Sequence, residues 1–123
     1  MQFLRCEKCG NFMGVVKKTA CTPMCCGETM TIIEPNTTDA AGEKHVPVVT
    51  VDGCKVSVVV GSVEHPMTPE HFIEWIAIKT KKGAQRKVLT PTDAPKAVFA
   101  LTEDDEFEEA YAYCNLHSLW KSE

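Results

Sequence analysis

The metal-binding side chains of this chain are segregated: five of its seven cysteines lie within the first 26 residues, whereas all four histidines lie between His45 and His117. That division points to two donor sets of different chemistry, one soft and thiol-rich, the other built on imidazoles. A length of 123 residues allows one ordinary domain, or a modest domain preceded by a small one that a metal holds together. The uneven donors favour the second arrangement.

Residues 1–35 contain Cys, Gly, Thr and Met but few large aliphatic side chains, so a conventional core can hardly form there without metal ligation. Cys6 and Cys9 form C-x2-C with Gly10 behind them, a knuckle whose tight turn aims two sulfurs at one ion. Cys25 and Cys26 follow after 15 intervening residues, with Gly27 next. Four thiolates suit tetrahedral iron or zinc. Adjacent cysteines cannot share the relaxed turn of C-x2-C, and the distortion this imposes suits redox iron without excluding zinc. Cys21, four positions before Cys25, is an alternative fourth ligand on spacing alone. Cys54 is expected to be a free thiol without a catalytic role. In a reducing compartment a segment this rich in cysteine is a metal site rather than a disulfide framework, and an odd total of seven thiols fits complete pairing poorly.

The polar stretch 34–42 reads as a connection, so domains are expected at 1–36 and 37–123. From Lys44 onward, short runs rich in Val, Ile, Phe, Tyr and Trp alternate with turn residues. Strands are expected at 46–51, 54–60, 71–80, 84–89, 96–101 and 107–114, with Asp52-Gly53 as a hairpin turn. Along 71–80 the alternation places Phe72, Glu74, Ile76 and Ile78 on one face and Ile73, Trp75 and Ala77 on the other. Short antiparallel strands and no convincing helix predict a β-sandwich. Its acidic run, Glu103 to Glu106, reads as a solvated loop.

The formal net charge is −4, and no Lys/Arg block offers a phosphate-binding stripe, so nucleic acid is not an expected partner. No apolar run approaches the roughly 20 residues of a membrane span, and the start lacks the basic-then-apolar layout of a signal peptide. A cytoplasmic protein is expected.

Every histidine falls at or near the end of an expected strand. His45 precedes the first of them, His65 and His71 share a loop, and Cys114 with His117 forms C-x2-H after the last. Four neutral imidazoles and a thiolate make five ligands, one too many for structural zinc and one short of octahedral iron. A position is left where a small molecule can bind.

The segments Glu43-Lys44-His45-Val46-Pro47-Val48, Gly61 to Met67 with its Glu64-His65-Pro66, His71-Phe72-Ile73-Glu74-Trp75 and Cys114-Asn115-Leu116-His117 with Trp120-Lys121 resemble the site of superoxide reductases. Cys6, Cys9, Cys25 and Cys26 resemble the extra rubredoxin-like centre of the desulfoferrodoxin class, a resemblance that spans nearly the whole chain. It implies a small rubredoxin-like metal-binding domain followed by an immunoglobulin-like antiparallel β-sandwich, with two iron ions per chain. The first iron takes Cys6, Cys9, Cys25 and Cys26, so the resemblance selects Cys25 over Cys21. The second takes equatorial imidazoles from His45, His65, His71 and His117 and an axial thiolate from Cys114. Glu43 resembles the carboxylate that fills the sixth position in the oxidised state, and Lys44 the cation that attracts superoxide and orders a proton-donating water. The implied activity is one-electron reduction of superoxide to hydrogen peroxide, with electrons from an external donor such as rubredoxin, in a homodimer. The competing readings are a superoxide dismutase and a non-enzymatic metal-binding or electron-transfer protein.

Overall fold

The computed structural model describes residues 1–36 and 44–122, and all regular structure among them is β. Residues 37–42 of the expected connection lie outside the described residues, as does Glu43. Two compact units divide the chain, Met1–Glu34 and Pro35–Glu123. Asn36, expected at the end of the first domain, is bound to the second: its N–H donates to the Leu119 carbonyl at 2.9 Å, and its carbonyl accepts from the Lys121 N–H at 2.9 Å.

In the first unit, β1 (Phe3–Arg5) pairs with β2 (Phe12–Gly14) and with β5 (Thr31–Ile33), both antiparallel. A two-stranded hairpin of β3 (Met24–Cys25) and β4 (Glu28–Thr29) stands beside them in sequence. One buried cluster is Leu4, Cys6 and Met30, with Met13, Val15 and Cys25 packed against it, and Phe3 and Ile33 are buried as well. So small an apolar cluster stabilises a fold weakly, as the composition of the segment predicts.

Among the described residues, the second unit is an immunoglobulin-like sandwich of seven antiparallel strands. One sheet contains β6 (Pro47–Asp52), β7 (Lys55–Val60) and β10 (Lys96–Ala100), in the order β10-β7-β6. The other contains β8 (Ile73–Thr80), β9 (Ala84–Val88), β11 (Phe107–Cys114) and β12 (Ser118–Lys121), in the order β12-β11-β8-β9. Val56, Val58 and Val60 of β7 meet Ile76 and Ile78 of β8, Phe99 of β10 and Ala110 and Ala112 of β11 in one buried core. Among the described residues no helix is long and apolar enough to cross a membrane.

Three local features differ from the sequence expectation. The β6–β7 turn is Gly53-Cys54, because Asp52 still pairs with Lys55; Gly53 takes a φ of 60° at the first loop position, where a type II′ turn requires glycine. A bulge in β8 leaves Glu74 unpaired between Trp75↔Tyr113 and Ile73↔Cys114. One extra residue reverses the alternation, so Ile73 joins Ile76 and Ile78 in the core although simple period-two counting separates them. Finally, β12 follows the expected last strand. His117 therefore lies in the tight β11–β12 turn that closes on the Cys114↔Ser118 pair, rather than in a tail beyond the sheet.

Candidate metal centres

Strand register gathers the second donor set at one end of the sandwich. His45 lies two residues before β6, whose Pro47 pairs with Val60 at the end of β7. The His65 N–H donates back to the Val60 carbonyl at 2.9 Å, and His71 lies two residues before β8. Cys114 ends β11, paired with Ile73 on one side and Ser118 on the other. One donor atom from each of His45, His65, His71, Cys114 and His117 lies within 4.8 Å of every other.

The four imidazoles form a ring. Going round it, centroids are 4.9 Å apart for His45 and His65, 4.6 Å for His65 and His71, 5.0 Å for His71 and His117, and 4.7 Å for His117 and His45. Across the ring, His45 and His71 stand 6.5 Å apart. Neighbouring planes are steeply inclined, between 67° and 78°, so the rings stand edge to face like blades about a common centre. The Nε2 of His45 and Nδ1 of His117 are 3.0 Å apart. Two adjacent ligands about 2.1 Å from one ion and at right angles to each other stand about 3.0 Å apart. Cys114 Sγ lies 3.7 Å from the same His117 nitrogen and is completely buried, so the thiol approaches the ring from the protein interior.

Protonation suits ligation. A carbonyl only accepts, so the contact of 2.7 Å between His65 Nδ1 and the Pro66 carbonyl fixes the proton on Nδ1 and leaves the lone pair on Nε2. That Nε2 is buried without a hydrogen-bond partner, as is Nε2 of His71. Orphaned buried nitrogens of this kind are expensive unless an ion uses them. Burial pushes His65 down to about 4, and burial, then the charges of His117 and Lys44, lower His71. Both rings are thereby kept neutral. Trp120 backs the assembly: its ring stacks on His45 at 4.6 Å and 17°, and its Nε1–H donates to the His117 carbonyl at 2.9 Å.

Burial raises the Cys114 thiol, opposed by the N–H groups of Leu116 and His117. At neutral pH the sulfur is therefore protonated until a metal displaces the proton. With the four-cysteine centre already filled with zinc, cobalt affinity at the imidazole centre is expected to fall by at least about tenfold per pH unit on acidification from neutral pH, because the Cys114 proton is displaced on binding and protonating imidazoles compete further as the pH falls. Titrations that follow the thiolate-to-cobalt absorption check this; an affinity independent of pH would contradict it.

The cysteines of the first unit converge as well. Cys6, Cys9, Cys25 and Cys26 offer sulfurs within 4.8 Å of one another; Cys21 is outside the group. Two of the separations, Cys9 to Cys25 at 3.6 Å and Cys25 to Cys26 at 3.9 Å, bracket the roughly 3.8 Å expected between sulfurs about 2.3 Å from a tetrahedral ion. The knuckle is closed by Gly10, at a φ of 79°, whose N–H donates to the Cys6 carbonyl at 2.9 Å. The Cys9 N–H points at Cys6 Sγ, 3.4 Å away, and is the main reason that Cys6 falls to about 6. Cys26, hydrogen-bonded first to Cys9 and then to Cys25, is pushed up to about 12, and Cys25 also rises.

The adjacent cysteines are accommodated by a two-residue hairpin turn, Cys26-Gly27, with φ of 53° and 77°. Both central residues of a type I′ turn take positive φ, and a side chain in that region costs roughly 1–2 kcal/mol. Cys26 bears this cost at a position where its sulfur completes the cluster.

A family model described as desulfoferrodoxin matches residues 37–123. The chain belongs to the desulfoferrodoxin family. A desulfoferrodoxin homolog of Archaeoglobus fulgidus is 47% identical over 122 residues, covering 99% of this chain and 96% of the relative. A superoxide reductase of Pyrococcus horikoshii is 38% identical, covering 69% of this chain and 89% of the relative. Among solved structures, the superoxide reductase from Treponema pallidum superposes with a TM-score of 0.85 at 42% identity, covering 99% of this chain and 97% of that one. As a desulfoferrodoxin the chain has two iron sites, matching its four-cysteine cluster and its cluster of four histidines and one cysteine.

Proposed function

We infer that the chain is a superoxide reductase, acting at iron held by His45, His65, His71, Cys114 and His117. The observation that carries this reading is the closed ring of four imidazoles with a buried thiol on its inner side. Five donors would leave room for a sixth ligand on a six-coordinate iron, and beside the ring His117 and Lys44 are exposed. Cys6, Cys9, Cys25 and Cys26 hold the second iron.

When bound, iron supplies the single electron that turns superoxide, with two protons from water, into hydrogen peroxide. The chain's own groups do the rest. Neutral imidazoles leave the positive charge of the site largely uncompensated, and the Lys44 ammonium adds to it, drawing a small anion inward despite the net charge of −4. Lys44 also orders the water that delivers a proton. The Cys114 thiolate would be the one anionic donor to the iron and would enrich it in electron density, while the Leu116 and His117 N–H groups temper the sulfur. Glu43, beside Lys44 in sequence, would be the carboxylate that closes the site after turnover, and an external donor such as rubredoxin would return the electron. Clustered thiol ligands suit a reducing cytoplasm as the location, and family resemblance supports a homodimer.

Iron analysis with a visible spectrum, on protein isolated from its native host, tests the reading: two irons and a coloured protein are expected, and a colourless zinc protein would sink it. For Lys44→Ala, the second-order rate of reaction with superoxide should fall on the order of tenfold at low ionic strength, and less in high salt, with ligand spectra unchanged. Pulse radiolysis measures that rate, and an unaltered value would remove Lys44 from the mechanism.

A further inference from the structure

Asn115 sits in the β11–β12 turn next to Cys114, yet its hydrogen bonds reach across to the loop that carries His71. Its Oδ1 accepts from the Phe72 N–H at 3.0 Å, and its Nδ2 donates to the Glu70 carbonyl at 3.0 Å. Its backbone N–H donates to the Phe72 carbonyl at 3.2 Å. Three bonds from one residue therefore bracket His71 on both sides. A primary amide offers an acceptor and a donor on one short planar group; aspartate lacks the donor, alanine lacks both.

The surroundings explain why such a brace is useful. His71 is shaped locally by Thr68, with which it exchanges N–H to carbonyl bonds of 3.1 and 3.0 Å, but that turn is internal to its own loop. The ladder that should fix the loop against Cys114 is interrupted at this point by the bulge at Glu74, between the pairs Trp75↔Tyr113 and Ile73↔Cys114. A bulge leaves ladder groups unpaired and lets the strand bend. The amide of Asn115 supplies the connection where the sheet is irregular.

We propose that Asn115 is a positioning residue for the centre of four histidines and one cysteine, a side-chain strap that fixes His71 relative to Cys114. This rests on the reading of that centre as an iron site. An outer residue that orients a ligand typically contributes 10–100-fold to metal affinity.

The test uses the iron-loaded full chain and its Asn115→Ala and Asn115→Asp variants, with release of iron to a ferrous chelator and the thiolate-to-iron absorption of the oxidised centre as readouts. Release from the five-donor centre is expected to accelerate on the order of tenfold in Asn115→Ala, and less in Asn115→Asp, which keeps the bond to the Phe72 N–H. The absorption band should shift in both, while the four-cysteine centre keeps its iron and its spectrum. Wild-type release with an unshifted band overturns the proposal, in Asn115→Asp alone if the alanine variant does not fold. Equal loss of iron from both centres also overturns it, since that marks general unfolding. Because iron retention is read rather than turnover, a wild-type protein that binds iron without reducing superoxide would count against the proposed function and not against the strap.

Discussion

Cys114→Ser should lower the rate of superoxide reduction by about a hundredfold or more while leaving the four-cysteine centre intact. Changing groups that merely orient a ligand costs 10–100-fold, and this substitution removes a ligand itself. The serine hydroxyl remains protonated at neutral pH and would donate far less electron density than a thiolate to an iron held there. The fold should survive, because Cys114 is completely buried and serine is no larger, although its hydroxyl then sits among apolar core residues. Pulse radiolysis on the iron-loaded variant reads the rate, and the visible spectrum of the first centre serves as an internal control. Wild-type turnover would mean that the thiol is not part of the reacting site.

The second large effect separates two cysteines four positions apart. Cys25→Ala is expected to reduce bound iron from two per chain to one and to unfold the first unit, whereas Cys21→Ala leaves both iron content and spectrum unchanged. Cys25 Sγ lies 3.6 Å from Cys9 Sγ and belongs to the cluster, while Cys21 does not. Cys25 also packs against the small core of Leu4, Cys6 and Met30, which offers little apolar burial to hold the unit once the ion is lost. Iron analysis together with amide hydrogen exchange over residues 1–34 checks both halves. Iron loss in the Cys21 variant would reassign the fourth ligand.

Much of the sandwich is legible in the chain because its strands alternate and are separated by turn residues. The run at 107–114 matches β11 throughout, and 96–101 runs one residue past β10. Where the pattern misleads, a local irregularity is responsible. Period-two counting cannot register the bulge at Glu74, which returns Ile73 to the core. The four residues of β12 are too few to show a period, and the first of them, Ser118, takes a φ of 67° directly after the ligand turn.

Of the candidate centres, the residue types and their grouping are legible from composition and spacing, whereas the choice between Cys21 and Cys25 is not. That choice depends on the left-handed Cys26-Gly27 turn, which brings the sulfurs of Cys25 and Cys26 to 3.9 Å. The supports around the imidazole ring leave still less trace. Asn115 meets Glu70 and Phe72 across 45 and 43 positions of sequence, and Trp120 meets His45 only after β12 has formed. Such contacts are set by strand register and carry no local signal.

Reduction and dismutation differ in what becomes of the oxygen. Superoxide supplied to the iron-loaded protein, with an excess of an artificial electron donor and with oxygen and peroxide recorded together, measures that difference most directly. A superoxide reductase consumes one donor electron per superoxide and forms one hydrogen peroxide for each, with no enzyme-dependent release of oxygen. Oxygen released from half of the superoxide, without donor consumption, would contradict reduction and make the protein a dismutase.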